Sequence, residues 1–296
     1  MPRLSIIIPH RNDQQLEETI LSVLENRPRD CEIIVAHNGS YQDPYDLADE
    51  VIYVQEEADS TVVELLNAGL MAACSPVVCT LLDGAVVSAD WAESPLKRFA
   101  RPETATVAPL LQVGQRAITG VAAEAIRSQA KLRSGQVESK NATAAGPTLA
   151  AGFYRRKLLL AIGGWNDELG AGSTDVELAC LMSNLDLVCE CEPGVVVHAT
   201  AESIPSRKSN RTVSELAGIA AAHGLASASL GATISSVITG LLTGGVSTAL
   251  AWSSGLSHAT VIQEVEERLA YAKKHLNREA VSIKFQNEGL QSRRAA

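Results

Sequence analysis

Along the first third of the chain, short unbroken apolar runs alternate with longer segments in which apolar residues recur every three or four positions. Leu4 to Ile8 is rich in β-branched residues and ends at Pro9, which predicts a strand buried on both faces of a parallel sheet. In the next segment Leu16, Ile20, Val23 and Leu24 share one helical face. Asp13 is its predicted N-cap, with Glu17 and Glu18 in the first turn, where acids complement the helix dipole. Glu32 to Ala36, Val51 to Val54 and Val77 to Leu82 predict further strands, and Val62 to Ala73 a second amphipathic helix. Strands and helices in this order imply βαβ units, whose right-handed crossovers place helices on both faces of a mostly parallel sheet.

From Val107 to Gly146 the pattern weakens. Arg127 to Ala145 is small and polar, and is expected to be a mobile loop, either one that orders over a substrate or an ordinary insertion. Regular structure resumes at Leu149 to Tyr154. A helix through Leu158 to Ile162 is stopped by Gly163 and Gly164, a second begins at Asp175, and Leu187 to Cys191 and Val195 to His198 predict two more strands. The expected organisation is an α/β domain over residues 1–205 and a helical C-terminal extension over 206–296.

Within that extension no Asp, Glu, Lys or Arg occurs between Glu215 and Glu264. A spanning helix needs about 20 predominantly apolar residues, and Leu225 to Trp252 is interrupted repeatedly by Ser, Thr and Gly, although small residues favour close helix packing in membranes as well. Three readings of Leu216 to Gln263 stay open: buried or homodimer-forming helices, association with a membrane surface, and a weak spanning hairpin. Thr260 to Val281 predicts a charged amphipathic helix with Val261, Val265, Leu269 and Ala272 along one side.

A net charge of -9 gives no general attraction for nucleic acid or anionic lipid, and clusters such as Arg155-Arg156-Lys157 and Arg293-Arg294 are short enough to be solvated surface. The six cysteines lack paired Cys-x-x-Cys spacing and read as reduced core residues of a cytoplasmic protein. Cys189 and Cys191 have no second pair with which to bind zinc. No charged leader with an apolar core precedes the first strand, so a cytoplasmic location is expected, with peripheral attachment at the cytoplasmic membrane depending on the extension.

Ligands of such sheets bind outside the carboxyl ends of the strands, which directs attention to His10-Arg11-Asn12, His37-Asn38-Gly39-Ser40 and Asp83-Gly84-Ala85. Together with the opening strand, Asn67-Ala68-Gly69, Gly152 to Arg156, Gly163 to Asp167, Thr174 to Leu178 and Pro193 to His198, these segments resemble, in order and spacing, the family 2 glycosyltransferases of GT-A fold. The resemblance implies a nucleotide-diphospho-sugar transferase-like domain moving a sugar, with inversion, from a nucleotide-sugar donor to a glycan or lipid-linked acceptor, as in polysaccharide biosynthesis. It assigns Pro9, His10, Arg11, Asn12, His37, Asn38, Ser40, Asn67 and Asp83 to the donor, Asp175 to the catalytic base, and Gly152, Arg155, Trp165, Asn166 and Asp167 to the acceptor side. A divalent cation, Mn or Mg, would rest on Asp83 and His198. Two bland alternatives stand beside these roles: Asp175 as an acid that merely starts a helix, and Trp165 as a core residue.

Three departures surround the donor. His37 and Asn38 replace a pair of acids that recognises the base, and can hydrogen-bond but not form a paired anionic acceptor. Ala85 replaces the second acid of the metal motif, and Leu65-Leu66 stand where an arginine contacts phosphate. These losses open a second reading, a non-catalytic relative that binds or assembles partners.

Overall fold

The computed structural model describes residues 2–127, 131–132, 137–139, 143–225 and 245–294, with the side chains of 245–246 and 277–294 excepted. Strands β1 (Leu4–Pro9), β2 (Cys31–His37), β3 (Val51–Gln55) and β4 (Val77–Leu81) pair in parallel in the order β3-β2-β1-β4. Every residue of β1 is buried, which is why its apolar run has no polar alternation. Helix α1 (Asp13–Glu25) follows β1, and α2 (Val62–Ala72) follows β3. The N-cap of α1 is Asn12, whose side chain accepts from the Gln15 N–H at 3.1 Å, rather than the expected Asp13; Asp13 lies in the first turn and Glu17 one turn further in. A capping box of Thr61 and Glu64 starts α2.

Beyond β4 the sheet is mixed. Strand β10 (Ala151–Arg155) runs antiparallel to both β4 and β6 (Thr104–Val113), and β11 (Val188–Ala199) runs parallel to β6. The short β5 (Ala85–Val86) closes this edge against β11, and β7 (Arg116–Ile118) folds back on β6. Strands β8 (Val121–Ala122) and β9 (Ala144–Gly146) form a separate small sheet. The two strands expected at Leu187 to Cys191 and Val195 to His198 are one, interrupted by a register shift at Pro193 and Gly194, where proline cannot donate to the ladder. Parts of the loop expected at Arg127 to Ala145 lie outside the described residues. Of the rest, Leu132 and Val137 are buried beside Val121 and Ala125.

Short helices α3 (Glu93–Arg98) and α4 (Arg156–Ala161) and the longer α5 (Thr174–Asn184) complete the sheet's cover. Helices α6 (Asn210–Ala222), α7 (Gly245–Gly255) and α8 (Ala259–Arg294) then build a second core with α5, in which Trp252, Leu216, Ile219 and Val265 meet Val176 and Cys180. Small residues set the spacing: a Cβ at Gly255 would overlap the Ser214 carbonyl, and one at Gly218 would meet Val261 Cγ1 at 2.7 Å. Within the described parts of the charge-free stretch, Leu216, Ala217, Ile219, Ala220, Ala251, Trp252 and Leu256 are buried in this helical packing. Residues 226–244 lie outside the described residues, and among those described no helix is long and apolar enough to cross a membrane. All six cysteines are free, with Cys74 exposed rather than in the core.

Arg268 of α8 ties this layer to the domain. It pairs with Glu177 of α5 at 3.1 Å and donates to the carbonyls of Gly163 and Gly164, at 3.4 and 2.5 Å.

Candidate functional site

The parallel block brings the ends of β1, β2 and β4 to one edge, and with them Pro9 to Asn12, His37 to Ser40 and Asp83. Asp83 is the hub. Its carboxylate is wholly buried, one oxygen accepting from the main-chain N–H groups of Arg11 and Asn12 at 3.0 and 2.8 Å, the other from the Arg11 guanidinium. Arg11 Nη2 also donates to the carbonyls of Asp83 (3.1 Å) and Ser203 (3.2 Å). Gly84, at φ +83°, is pressed against the Ser203 side chain so closely that a Cβ there would overlap it. The segment after β11, residues 200–209, is thus a strap whose Ser203 covers the turn at Asp83 and Gly84.

Beside it, His10, His37, Tyr41 and Tyr53 form an aromatic wall. Tyr41 stands 5.3 Å from the His10 ring and 6.1 Å from Tyr53, and His37 meets Tyr53 edge-on at 6.2 Å. His10 is held by Asp13 at 2.7 Å and approached by the Ser40 hydroxyl at 3.5 Å, while Asn38 accepts from Ser40 at 2.6 Å and donates to the Ala58 carbonyl. Burial, helped by the nearby His10, depresses the His37 pKa, which favours the neutral imidazole. Burial, with Glu17 and Asp43 adding to it, pushes the Tyr41 phenol up to about 12, and its hydroxyl makes no hydrogen bond to a described residue. Tyr41 was not anticipated, although an aromatic directly after the β2 loop is a signal that position alone supplies.

Across the strap lies Asp175, buried at the start of α5. One of its oxygens accepts from Arg207 at 2.5 Å and from the Leu149 N–H at 3.1 Å; the other is buried and makes no hydrogen bond to a described residue. Arg207 also pairs with Glu138 and donates to the Gly172 carbonyl at 3.1 Å. Burial works against the Arg207 charge, but the Asp175 and Glu138 carboxylates outweigh it and raise its pKa. A cavity of about 290 Å³ opens here, lined in part by Arg116, Glu138, Ile204, Ser206, Arg207 and Lys208. Neither Arg207 nor Glu138 belongs to any local motif.

Several assigned residues lie elsewhere. Asn67 clasps the Trp165 main chain, donating to its carbonyl at 2.8 Å and accepting from its N–H at 2.9 Å, so its amide is committed to the fold rather than to a donor. Because β10 is antiparallel, Gly152 sits buried opposite Thr80, and Arg155 falls at the far edge opposite Val77, donating to the carbonyls of Thr104, Phe99 and Arg101. Arg155 is thereby removed from the acceptor side. Trp165 is core, packed edge-on against Tyr154 at 5.3 Å, with no ring face for a sugar. Asn166 is buried, its amide nitrogen making no hydrogen bond to a described residue, and Asp167 is exposed.

The residues expected to hold a divalent cation do not fit one. Both carboxylate oxygens of Asp83 already accept from nitrogen donors, Ala85 is buried and offers no oxygen from its side chain, and His198 is an exposed residue paired with Val86. Among the described residues no three His, Cys, Asp or Glu side chains cluster as a metal site would require. A larger hollow of about 630 Å³, lined in part by Arg3, Arg27, Arg29 and Asp90, opens away from this edge, beside the start of β1.

A mixed sheet with a parallel N-terminal block, helices on both faces and polar loops gathered at one edge defines the GT-A class of α/β fold. The chain belongs to glycosyl transferase family 2, whose model matches residues 5–162. Among solved structures it is similar to the mannosyltransferase PcManGT from Pyrobaculum calidifontis in complex with GDP-Man and Mn2+, at 18% identity and TM-score 0.51 over 98% of this chain and 80% of that one. It is similar also to GalNAc-T7 with UDP, GalNAc and Mn2+, at 14% identity and TM-score 0.56 over 74% of this chain and 47% of that one. A third is S. aureus TarS 1-349 in complex with UDP, at 14% identity and TM-score 0.54 over 75% and 65%. At these identities the likeness is one of fold. No curated protein matches the sequence.

Proposed function

We propose that this protein transfers a sugar, with inversion, from a nucleotide-activated donor to a glycan or lipid-linked acceptor. The observation that carries the reading is Asp175: a buried carboxylate with one oxygen fixed by Arg207 and the Leu149 N–H and the other making no hydrogen bond to a described residue. A group so held can take the proton of an acceptor hydroxyl as the nucleotide diphosphate departs from the opposite face of the sugar. Arg207 positions the carboxylate and also lines the neighbouring cavity, so an acceptor seated in that cavity would be separated from Asp175 by this one side chain. The donor would lie along Pro9 to Asn12 and His37 to Ser40, with its base against the Tyr41 wall. That the structures with similar folds hold GDP-Man or UDP supports a nucleotide-sugar without choosing the base.

The strap over Asp83 and Gly84 favours a second reading, in which the family fold is kept to bind or assemble partners without catalysis. Calorimetric titration of the full chain with UDP-, GDP- and TDP-sugars separates the two. Saturable binding of one donor is expected; no binding across the panel would favour the second reading.

A further inference from the structure

We propose that the donor diphosphate is bound without a divalent cation, by the Arg11 guanidinium that Asp83 holds in place; this rests on the donor reading above. Where two carboxylates face a diphosphate, their charge is balanced by a divalent cation, which then bridges to the phosphate oxygens. Here Ala85 removes one of those charges and Arg11 supplies a positive one, so the turn is already neutral with no ion bound. The carboxylate of Asp83 has about four acceptor directions. Two backbone N–H groups and the guanidinium take three of them, and a cation placed at the direction left would sit against the positive charge of Arg11.

Arg11 meanwhile is only partly consumed. Its Nε and Nη2 are turned to Asp83 and Ser203, Nη1 makes no hydrogen bond to a described residue, and the side chain keeps 23% of its exposure. A guanidinium fixed on one side and open on the other is preorganised to donate to phosphate oxygens, because its rotamer freedom is already lost. The metal motif is thus converted into an anchor for an arginine. This also accounts for the leucines at 65 and 66, since a phosphate partner is supplied from the loop after β1 rather than from α2.

The test is titration of the full-length protein with UDP and with GDP, first in EDTA and then in manganese, with manganese alone as a third arm. The expected result is that at least one nucleotide binds equally well in both buffers, that manganese alone gives no heat of binding, and that Arg11→Gln weakens the nucleotide by about ten- to a hundredfold, the worth of a charge-assisted hydrogen bond. Binding only with manganese would overturn the proposal and leave the donor reading intact. Absence of binding in both buffers would overturn both. An unchanged affinity in a folded Arg11→Gln protein would remove Arg11 from the site, and the EDTA comparison on the unaltered protein stands whether or not that variant folds.

Discussion

Replacing Arg268 with methionine isolates what the C-terminal layer contributes to the helix that carries Asp175. Arg268 reaches from α8 to Glu177, two residues beyond Asp175, and to the carbonyls of Gly163 and Gly164. Glu177 is wholly buried, and its second oxygen makes no hydrogen bond to a described residue. Arg268→Met therefore leaves a buried carboxylate uncompensated, a change that costs about 3–5 kcal/mol. At about 2 °C per kcal/mol for a chain of this size, the thermal midpoint should fall by roughly 6–10 °C. The loss should depend on pH. Burial, only partly offset by Arg268, holds the Glu177 pKa above its ordinary 4.5. An acid raised in this way adds stability while it is protonated and loses that contribution as pH rises through its folded value. Without the arginine the folded value moves higher still, so the deficit should be larger at pH 8 than at pH 5. Glu177→Gln combined with Arg268→Met should recover most of the loss, because removing a whole buried pair is often close to neutral. Differential scanning calorimetry of the three proteins at both pH values measures this. Equal losses at both pH values with no recovery in the double variant would refute the reasoning.

Asn67→Ala should lower stability by about 1–3 kcal/mol through the two lost bonds to Trp165 and leave nucleotide affinity unchanged, as urea unfolding and calorimetric titration would show. Gly84→Ala should destabilise the protein by about 1–2 kcal/mol from its positive φ alone, with a further steric loss against Ser203. Ser203→Ala in the same chain should relieve only that steric part in urea unfolding. The His37 ring should titrate below 6.5 by proton NMR, because burial and His10 disfavour its charge. The linked stability is present at neutral pH and is lost as pH falls from 6.5 through the folded value, so His37→Gln should flatten that slope.

What could be read from the sequence was what local pattern encodes. Strands β1, β2 and β4 were legible because residues buried on both faces leave continuous apolar runs, and the edge where their loops gather follows from the crossover rule. Strand direction has no such signature. The period of β10 is the same whichever way it runs, and its antiparallel course is what carried Arg155 to the wrong edge for an acceptor. The helix of Asp175 was visible, but its partner Arg207 is 32 residues away in a segment without period. The Asn67–Trp165 clasp spans 98 residues and the Arg11–Asp83 pair 72, separations at which a polar side chain's partner is decided by topology alone. Asp83 was recognised as a site residue, but its pairing with Arg11 appears only when β1 and β4 stand side by side.

The most direct test of the central claim is to compare Asp175→Asn with the unaltered protein for donor affinity and for transfer to acceptor, using whichever nucleotide-sugar the panel identifies. The substitution keeps the shape of the side chain while removing its basicity, so transfer should fall by about 10²–10⁴-fold with the donor dissociation constant unchanged. Undiminished transfer by a folded Asp175→Asn protein would contradict the account.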